Sequence, residues 1–434
     1  MATTSCKADE KLVATRRAHV RQLQYASILT WLFGAALLLA ASHLPLFDSS
    51  PKVLLDVQER NLYWYTTYSL LRWDVFHYGH IAKEGYVYDY EWAFLPGLPI
   101  AMRTGARVIS WLGISTSEDV LSWGNLLTGG LLLSLCCGTT TTLYDLTLEL
   151  TGSPNIAFLS ALLSLLPSSP ATLRFVPYTE PFFTYLSYQG MLHCARLQWF
   201  SASIFFTLAG AFRSNGFMLS GFLLWGLLAK PVLERRTVPP TYLFKATLLT
   251  ALTFGPFVYH QYSAFLKFCR NHAVEMPPWC LSVPPSIYTH VQAKYWDNGF
   301  LRYWTPAQIP NFLISIPVLV SLLWFSVYHI RMVLIPRLVS LTHTSRPPLP
   351  AKFEPLLSPN ITPHAIHAFI FTNVLLFASN TQIILRLAAS MPFTYWSAAY
   401  LLIQKPSWGK WWVTWSVVWG AISIILWATF LPPA

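Results

Sequence analysis

Apolar windows of roughly 20 residues, the length that crosses a bilayer as a helix, recur from one end of this chain to the other. That repetition constrains the fold more than any single motif, because in lipid each helix satisfies its own backbone groups. Charged residues make up 11% of the 434 residues and hydrophobic ones 54%. Soluble chains carry about 25% charged residues, and the mean hydropathy here is +0.43. The chain therefore reads as an all-α polytopic membrane protein, a single integral domain over residues 1–434. Its apolar segments lie near Tyr25–Leu46, Leu121–Leu143, Asn155–Leu173, Pro181–Leu197, Trp199–Phe212, Gly216–Ala229, Tyr242–Gln261, Ile309–Ile330, His364–Ser379, Phe393–Leu402 and Trp411–Leu431. They give about ten to eleven spans, several shorter than about 20 residues, as discontinuous helices lining a cavity would be.

The start is not read as a cleaved leader, because the first apolar stretch begins only near Tyr25 and no small-residue cleavage pattern precedes it. Lys7, Lys11, Arg16, Arg17 and Arg21 make residues 1–24 a basic tail, which the positive-inside rule keeps cytosolic. Basic flanks of membrane spans account for the net charge of +11, and no nucleic-acid module is visible. Six cysteines are too few for a disulfide scaffold. Cys136, Cys137 and Cys194 lie in apolar runs as packing residues, whereas Cys269 and Cys280 bracket a polar loop and form a candidate disulfide if that loop faces an oxidising lumen. No metal-ligand spacing occurs, and no cofactor is expected.

The basic connections after Ala229 and Ile330 also belong in the cytosol. The loop at 267–306 then falls on the luminal side, and 331–362 is a cytosolic Pro-rich loop. Asn360-Ile361-Thr362 matches a glycosylation sequon, which this topology leaves unmodified. Phe94–Gly113 is ambiguous. It could span, but Arg103 and Arg107 sit one turn apart, which suits an interfacial helix with its cations among headgroups. Lying flat, it makes 47–120 a long first luminal loop and brings the polar interruptions of the chain to one side.

Those interruptions carry the chemistry. `RWDVFHYGHIAKEGYVYDYEW` places Asp74, Glu84, Asp89 and Glu91 among aromatic residues, with Trp73, His77 and Trp92 beside them. `PYTEPFF` sets Glu180 at a helix entrance, where an acid is favourable by the macrodipole alone. `FRSNG` inserts Arg213 and Asn215 into an apolar run, `WDNGFLRYW` adds Asp297 and Arg302, and `NTQIILRLAASMP` adds Gln382 and Arg386. Ionisable residues at membrane depth are expensive, so several on one side imply a polar cavity. Arginines suit an anionic group such as a phosphate, and carboxylates suit proton abstraction. Bland roles stand beside these: Trp73 and Trp92 as interfacial anchors rather than sugar contacts, and Asp297–Arg302 as a stabilising pair.

Taken in order, `RWDVFHYGHIAKEGYVYDYEWAFLPGLP`, `PYTEPFF`, `FRSNG`, `WDNGFLRYWTPAQIPNF` and `NTQIILRLAASMPFTYW` resemble the GPI mannosyltransferase 2 family over nearly the whole chain. The resemblance implies a GT-C type glycosyltransferase of the endoplasmic reticulum membrane with a luminal active site. Its donor would be dolichyl-phosphate mannose and its acceptor a mono-mannosylated GPI lipid, which receives the second mannose through an inverting α-1,6 transfer. A divalent metal is not generally expected, and a small membrane partner subunit, as in yeast members, is left open. Asp74 matches the acid of the first luminal loop and is the expected base, with Glu91 and Glu180 as second-rank catalytic candidates. Arg213, Arg302, Arg386 and His77 are candidates for the phosphate. Another dolichol-dependent mannosyltransferase is the neighbouring alternative, and a lipid or sugar transporter the alternative of another class.

Overall fold

The computed structural model describes residues 2–54, 67–115, 117–270, 276–342 and 354–432. Among them every regular element is helical. The chain opens with the long helix α1 (Ala2–Ala41). Next come α2 (Val75–Glu84), α3 (Gly97–Trp111), α4 (Trp123–Leu135), α5 (Thr139–Thr151) and α6 (Pro154–Leu163). The middle of the chain holds α7 (Thr179–Ala195), α8 (Trp199–Phe212), a composite α9 (Ser214–Leu233), α10 (Pro240–Phe268) and α11 (Ile287–Trp296). The last four are α12 (Ile309–His329), α13 (Thr362–Ala378), α14 (Pro392–Gln404) and α15 (Pro406–Ala428).

Six helical stretches are long and apolar enough to cross a membrane: Leu12–Ala41, Trp123–Thr151, Ser214–Leu233, Pro306–Thr342, Pro359–Ala378 and Pro406–Ala428. Most of the other expected segments form shorter helices, including α6 and α8. The segment read as one span at Leu121–Leu143 is divided into α4 and α5 by Cys136–Gly138. α14 is a core helix, with Phe393, Trp396, Ala398 and Ala399 fully buried. Helix also continues past Ile330, through a π-turn and Ile335–Thr342, so the supposed loop at 331–362 begins later than its composition suggested. Residues 343–353, the proline-rich part of that segment, lie outside the described residues.

Apolar side chains of α5, α7, α8, α9, α12, α13 and α14 form the larger core. A second core joins α1, α2, α3, α4 and α15. A third, smaller one gathers Trp92 with Cys269, Trp279, Ile287 and Val291, and there Cys269 and Cys280 form a disulfide with Cα atoms 5.7 Å apart.

α3 spans 15 residues, about 22 Å at 1.5 Å per residue, which is short of the roughly 30 Å hydrocarbon core. Its buried face packs on α4, while Ile100, Val108 and Trp111 are exposed. The two arginines of α3 do not act alike: Arg103 donates to the carbonyls of Ala82 and Lys83 at the end of α2, a favourable place for a cation near a helix C-terminus. α3 and α4 meet backbone to backbone, since a Cβ at Gly129 would lie 2.4 Å from the Ala106 nitrogen. Gly129→Val must therefore move α3 and with it the first loop. We expect a loss of about 1–3 kcal/mol or more, as for overpacked cores, read as a lower thermal midpoint of the purified protein.

Candidate active site

Four local breaks in helical structure bring the polar residues together. Trp73 takes a left-handed φ of 51°, uncommon for a bulky residue, and turns the chain so that Asp74 opens α2. Asp74 makes no side-chain cap on α2, which leaves its carboxylate for tertiary partners. Tyr178 is extended and leads into α7, with Glu180 in the first turn. Arg213 is extended between α8 and the 3-10 turn Ser214–Leu219. Arg386 sits in a broken stretch of short turns between Thr381 and Ser390. The freed carbonyls there find side-chain donors: Ser168 to Leu385 at 2.5 Å, Thr394 to Ala388 at 2.8 Å, and Tyr188 to Ala389. Irregular backbone buried within membrane protein needs such substitutes.

Glu180 is the hub, with a side chain only 2% exposed. Its Oε1 accepts from Arg386 Nε at 2.8 Å and from Arg213 Nη1 at 3.0 Å, and its Oε2 accepts from Thr179 at 3.1 Å. Arg386 Nη1 donates to Asp74 Oδ2 at 3.3 Å, and the Tyr178 hydroxyl donates to the same oxygen at 2.7 Å. The Arg386 guanidinium lies 4.7 Å over the Tyr178 ring, within cation–π range. Arg213 also donates to Thr179 and Asn215. The Asp74 side chain is 31% exposed, against 13% for Arg386 and 16% for Arg213. Asp74 is thus the acid of this network that an incoming molecule can reach. No hydrogen bond to another described residue involves Nη2 of either arginine, so each retains donors for a ligand.

His77, one turn into α2, stacks on Phe94 at 4.8 Å and meets Tyr90 edge-on at 5.4 Å. Burial pushes its imidazole below the ordinary range, while Asp74 and Glu91 pull it back up. Glu91 occupies a separate network: its Oε2 accepts from the backbone of Val87 at 2.7 Å and Tyr88 at 2.9 Å, and Oε1 contacts His80. Both oxygens hold the loop in shape.

The other candidates lie elsewhere. Trp92 is buried, with its ring against Tyr86 at 4.6 Å and His260 at 4.9 Å, so it is a packing residue of the small third core. Trp73 rests against Phe430 at 5.1 Å. Asp297 and Arg302 pair with each other at 2.8 Å, both more than half exposed. Gln382 accepts from Tyr303 and so engages a different group from Arg386, four residues on. Among the described residues, no group of three or more His, Cys, Asp or Glu side chains is placed to hold a metal ion.

Sequence reasoning passed over Tyr178 and Thr179 individually, and it missed Arg72. That arginine is fully buried and donates to the carbonyls of Ala428, Tyr68 and Leu71. It fastens the approach to Asp74 onto the end of α15. An arginine two positions before a candidate acid, in a chain so poor in charge, was the available signal.

A polytopic helical bundle with acids and arginines gathered at breaks in its helices defines the class: a membrane-embedded glycosyltransferase of GT-C type. A family model described as Mannosyltransferase (PIG-V) matches residues 17–434. GPI mannosyltransferase 2 of Cryptococcus neoformans var. neoformans serotype D (strain B-3501A) is 32% identical over 445 residues, covering 94% of this chain and 99% of the relative. GPI alpha-1,6-mannosyltransferase 2 of Cricetulus griseus is 31% identical, over 77% of this chain and 73% of the relative. The Drosophila pseudoobscura pseudoobscura GPI mannosyltransferase 2 is also 31% identical, over 76% and 77%. No solved structure matches the chain. The chain belongs to the PIG-V mannosyltransferase family and is a mannosyltransferase.

Removing the hub should cost more than removing a surface charge, because it leaves Arg213 without a carboxylate and Arg386 with Asp74 alone. We expect Glu180→Ala to lose about 3–5 kcal/mol, measured as the midpoint of unfolding in detergent, and Glu180→Asp to recover part of it. For His77, the unfolded chain takes up a proton near the usual pKa of about 6.5 while the folded protein resists it. Its contribution to stability is therefore present above that pH and lost as the pH falls. His77→Gln should show a smaller drop in thermal midpoint on acidification from neutrality than the parent protein; equal drops would remove His77 from that linkage.

Proposed function

We propose that this mannosyltransferase acts in GPI-anchor synthesis, transferring mannose from dolichyl-phosphate mannose to a mono-mannosylated GPI lipid through an α-1,6 linkage. Its relatives bear the names GPI mannosyltransferase 2 and GPI alpha-1,6-mannosyltransferase 2. The reaction belongs on the luminal face of the endoplasmic reticulum membrane, with the first loop (47–120) and the 267–306 loop luminal, α3 interfacial and residues 1–24 cytosolic. The observation that carries the site assignment is the junction of Asp74 with Arg386 and, through Glu180, with Arg213.

In the proposed step the acceptor 6-hydroxyl oxygen attacks C1 of the donor mannose. The bond from C1 to the phosphate oxygen breaks on the opposite face, so a β-linked donor gives an α product. The acceptor proton passes to Asp74, and the electron pair of the broken bond leaves on dolichyl phosphate. A carboxylate is a weak base near pH 7 and works because the hydroxyl becomes acidic as the transition state forms. Arg386 is placed to orient Asp74 and to offer Nη2 to the departing phosphate, and Arg213 offers a second cation. His77, beside the acid, is a third phosphate contact. Glu180 holds both arginines, and Glu91 shapes the loop that presents Asp74.

Asp74→Asn keeps the volume and removes the base. In cells lacking their own second mannosyltransferase, we expect it to leave a GPI lipid with one mannose accumulating. Transfer should fall by about a hundredfold or more at normal protein level. Full rescue would take Asp74 out of the base role.

A further inference from the structure

Beside Ser27–Trp31 of α1 lies a cavity of about 290 Å³ whose wall contains none of the side chains given a part in the transfer reaction. Its charged wall is Arg174, in the π-turn before α7. The guanidinium donates to the Ser27 hydroxyl at 2.8 Å, the Ser27 carbonyl at 2.9 Å and the Thr30 hydroxyl at 3.0 Å. Unlike Arg386 and Arg213, Arg174 has no carboxylate within ion-pair distance among the described residues. An arginine set between membrane helices without an acid is expensive, and unlike Arg72, whose donors go to backbone carbonyls, Arg174 opens on a cavity with room for an anion.

Two further features converge on the same space. Tyr395 lines it, is 2% exposed, and its hydroxyl makes no hydrogen bond among the described residues. A hydroxyl at the cavity wall without a protein partner keeps its donor for a ligand. Thr139 and Thr140, also in the wall, begin the 13-residue helix α5, whose first N–H groups have no intrahelical acceptor and favour negative charge. The break at Cys136–Gly138 between α4 and α5 creates that helix start, so the interruption of an otherwise continuous span has a use.

The setting separates a lipid from a soluble anion. Ile28 on α1 and Leu135 on α4 flank the cavity and are exposed on the outside of the bundle. They lie in stretches apolar enough to cross a membrane, so the rim is greasy. Arg17 and Arg21 are exposed on α1, with Arg21 seven residues before Ile28, which is two turns away on the same face and about 10 Å along the axis. A phosphate carrying acyl chains would meet cations first, then a polar recess, with its chains left against Ile28 and Leu135. Basic recesses between membrane helices bind anionic headgroups in this way.

We propose that this cavity binds the phosphate of an anionic membrane phospholipid, between Arg174, the Tyr395 hydroxyl and the start of α5. The cavity borders the Asp74 network through Pro181 and Ala389 but is lined by none of Asp74, Glu180, Arg213 and Arg386, and the proposal does not depend on the role given to Asp74. The test is native mass spectrometry of the full-length purified protein titrated with phosphatidic acid, phosphatidylserine or phosphatidylcholine. Expected is retention of one anionic lipid in preference to phosphatidylcholine, weakened about tenfold or more in Arg174→Gln and several-fold in Tyr395→Phe, while Asp74→Asn retains it. Tyr395→Phe removes one unpartnered hydroxyl and stands as the test if Arg174→Gln does not fold. Equal retention of phosphatidylcholine, displacement by millimolar inorganic phosphate, or unchanged affinity in the variants that fold would each overturn the proposal.

Discussion

The buried carboxylate of Glu180 is the interaction on which the rest of the site depends. Two guanidinium groups enter the same interior, where desolvating a cation costs several kcal/mol, and both take a carboxylate as partner. Glu180 meets both through one oxygen. Asp74, on the far side of Arg386, brings a second negative charge. Two cations then face two anions, and the network is neutral as a unit. Neutrality lets it sit among apolar helices, and it leaves unused donors on both arginines for a ligand that carries its own charge.

That arrangement explains why the helices around it are interrupted. A continuous α7 could present Glu180, but a continuous helix through Arg213 or Arg386 would aim those side chains according to helical period and nothing else. The extended Arg213 and the short turns around Arg386 free the side chains from that period. The cost appears as carbonyls without helical donors, and Ser168, Tyr188 and Thr394 supply them. The first loop obeys the same logic on a larger scale. Arg72 fixes its approach to the end of α15, Glu91 closes its far turn, and the packing of Gly129 against Ala106 seats α3 beneath it.

The sequence made the class of fold and the cost of its exceptions legible. Membrane burial is a local property, so each apolar window, and each arginine that breaks one, can be read without knowing its neighbours. Asp74, Glu180, Arg213 and Arg386 stood out for that reason. What could not be read was partnership. Gln382 and Arg386 share one short segment yet serve different networks, because the turns between them do not keep a helical register. Trp92 looked like Trp73 in composition, but the second is half-exposed beside Phe430 and the first is buried under His260. Asp297 and Arg302 looked like Glu180 and Arg213, yet they neutralise each other at the surface. Tyr178 gave no warning at all, since a tyrosine in an aromatic-rich chain is unremarkable until its hydroxyl is found on Asp74.

Comparing the interior arginines sharpens the division of labour in the bundle. Arg72 gives its donors to backbone carbonyls and is a fastener. Arg386 and Arg213 are held by a carboxylate and retain spare donors, so they are positioned cations that can meet a transient charge and survive its departure. Arg174 is held only by neutral oxygens of α1. A cation with a built-in anion suits a ligand that must leave after each turnover, because the site remains balanced when empty. A cation without one suits a ligand that stays. The proposed phosphate site and the proposed lipid site thus differ in whether the protein supplies its own counter-charge, and Arg174 differs from Arg72 in lining a cavity.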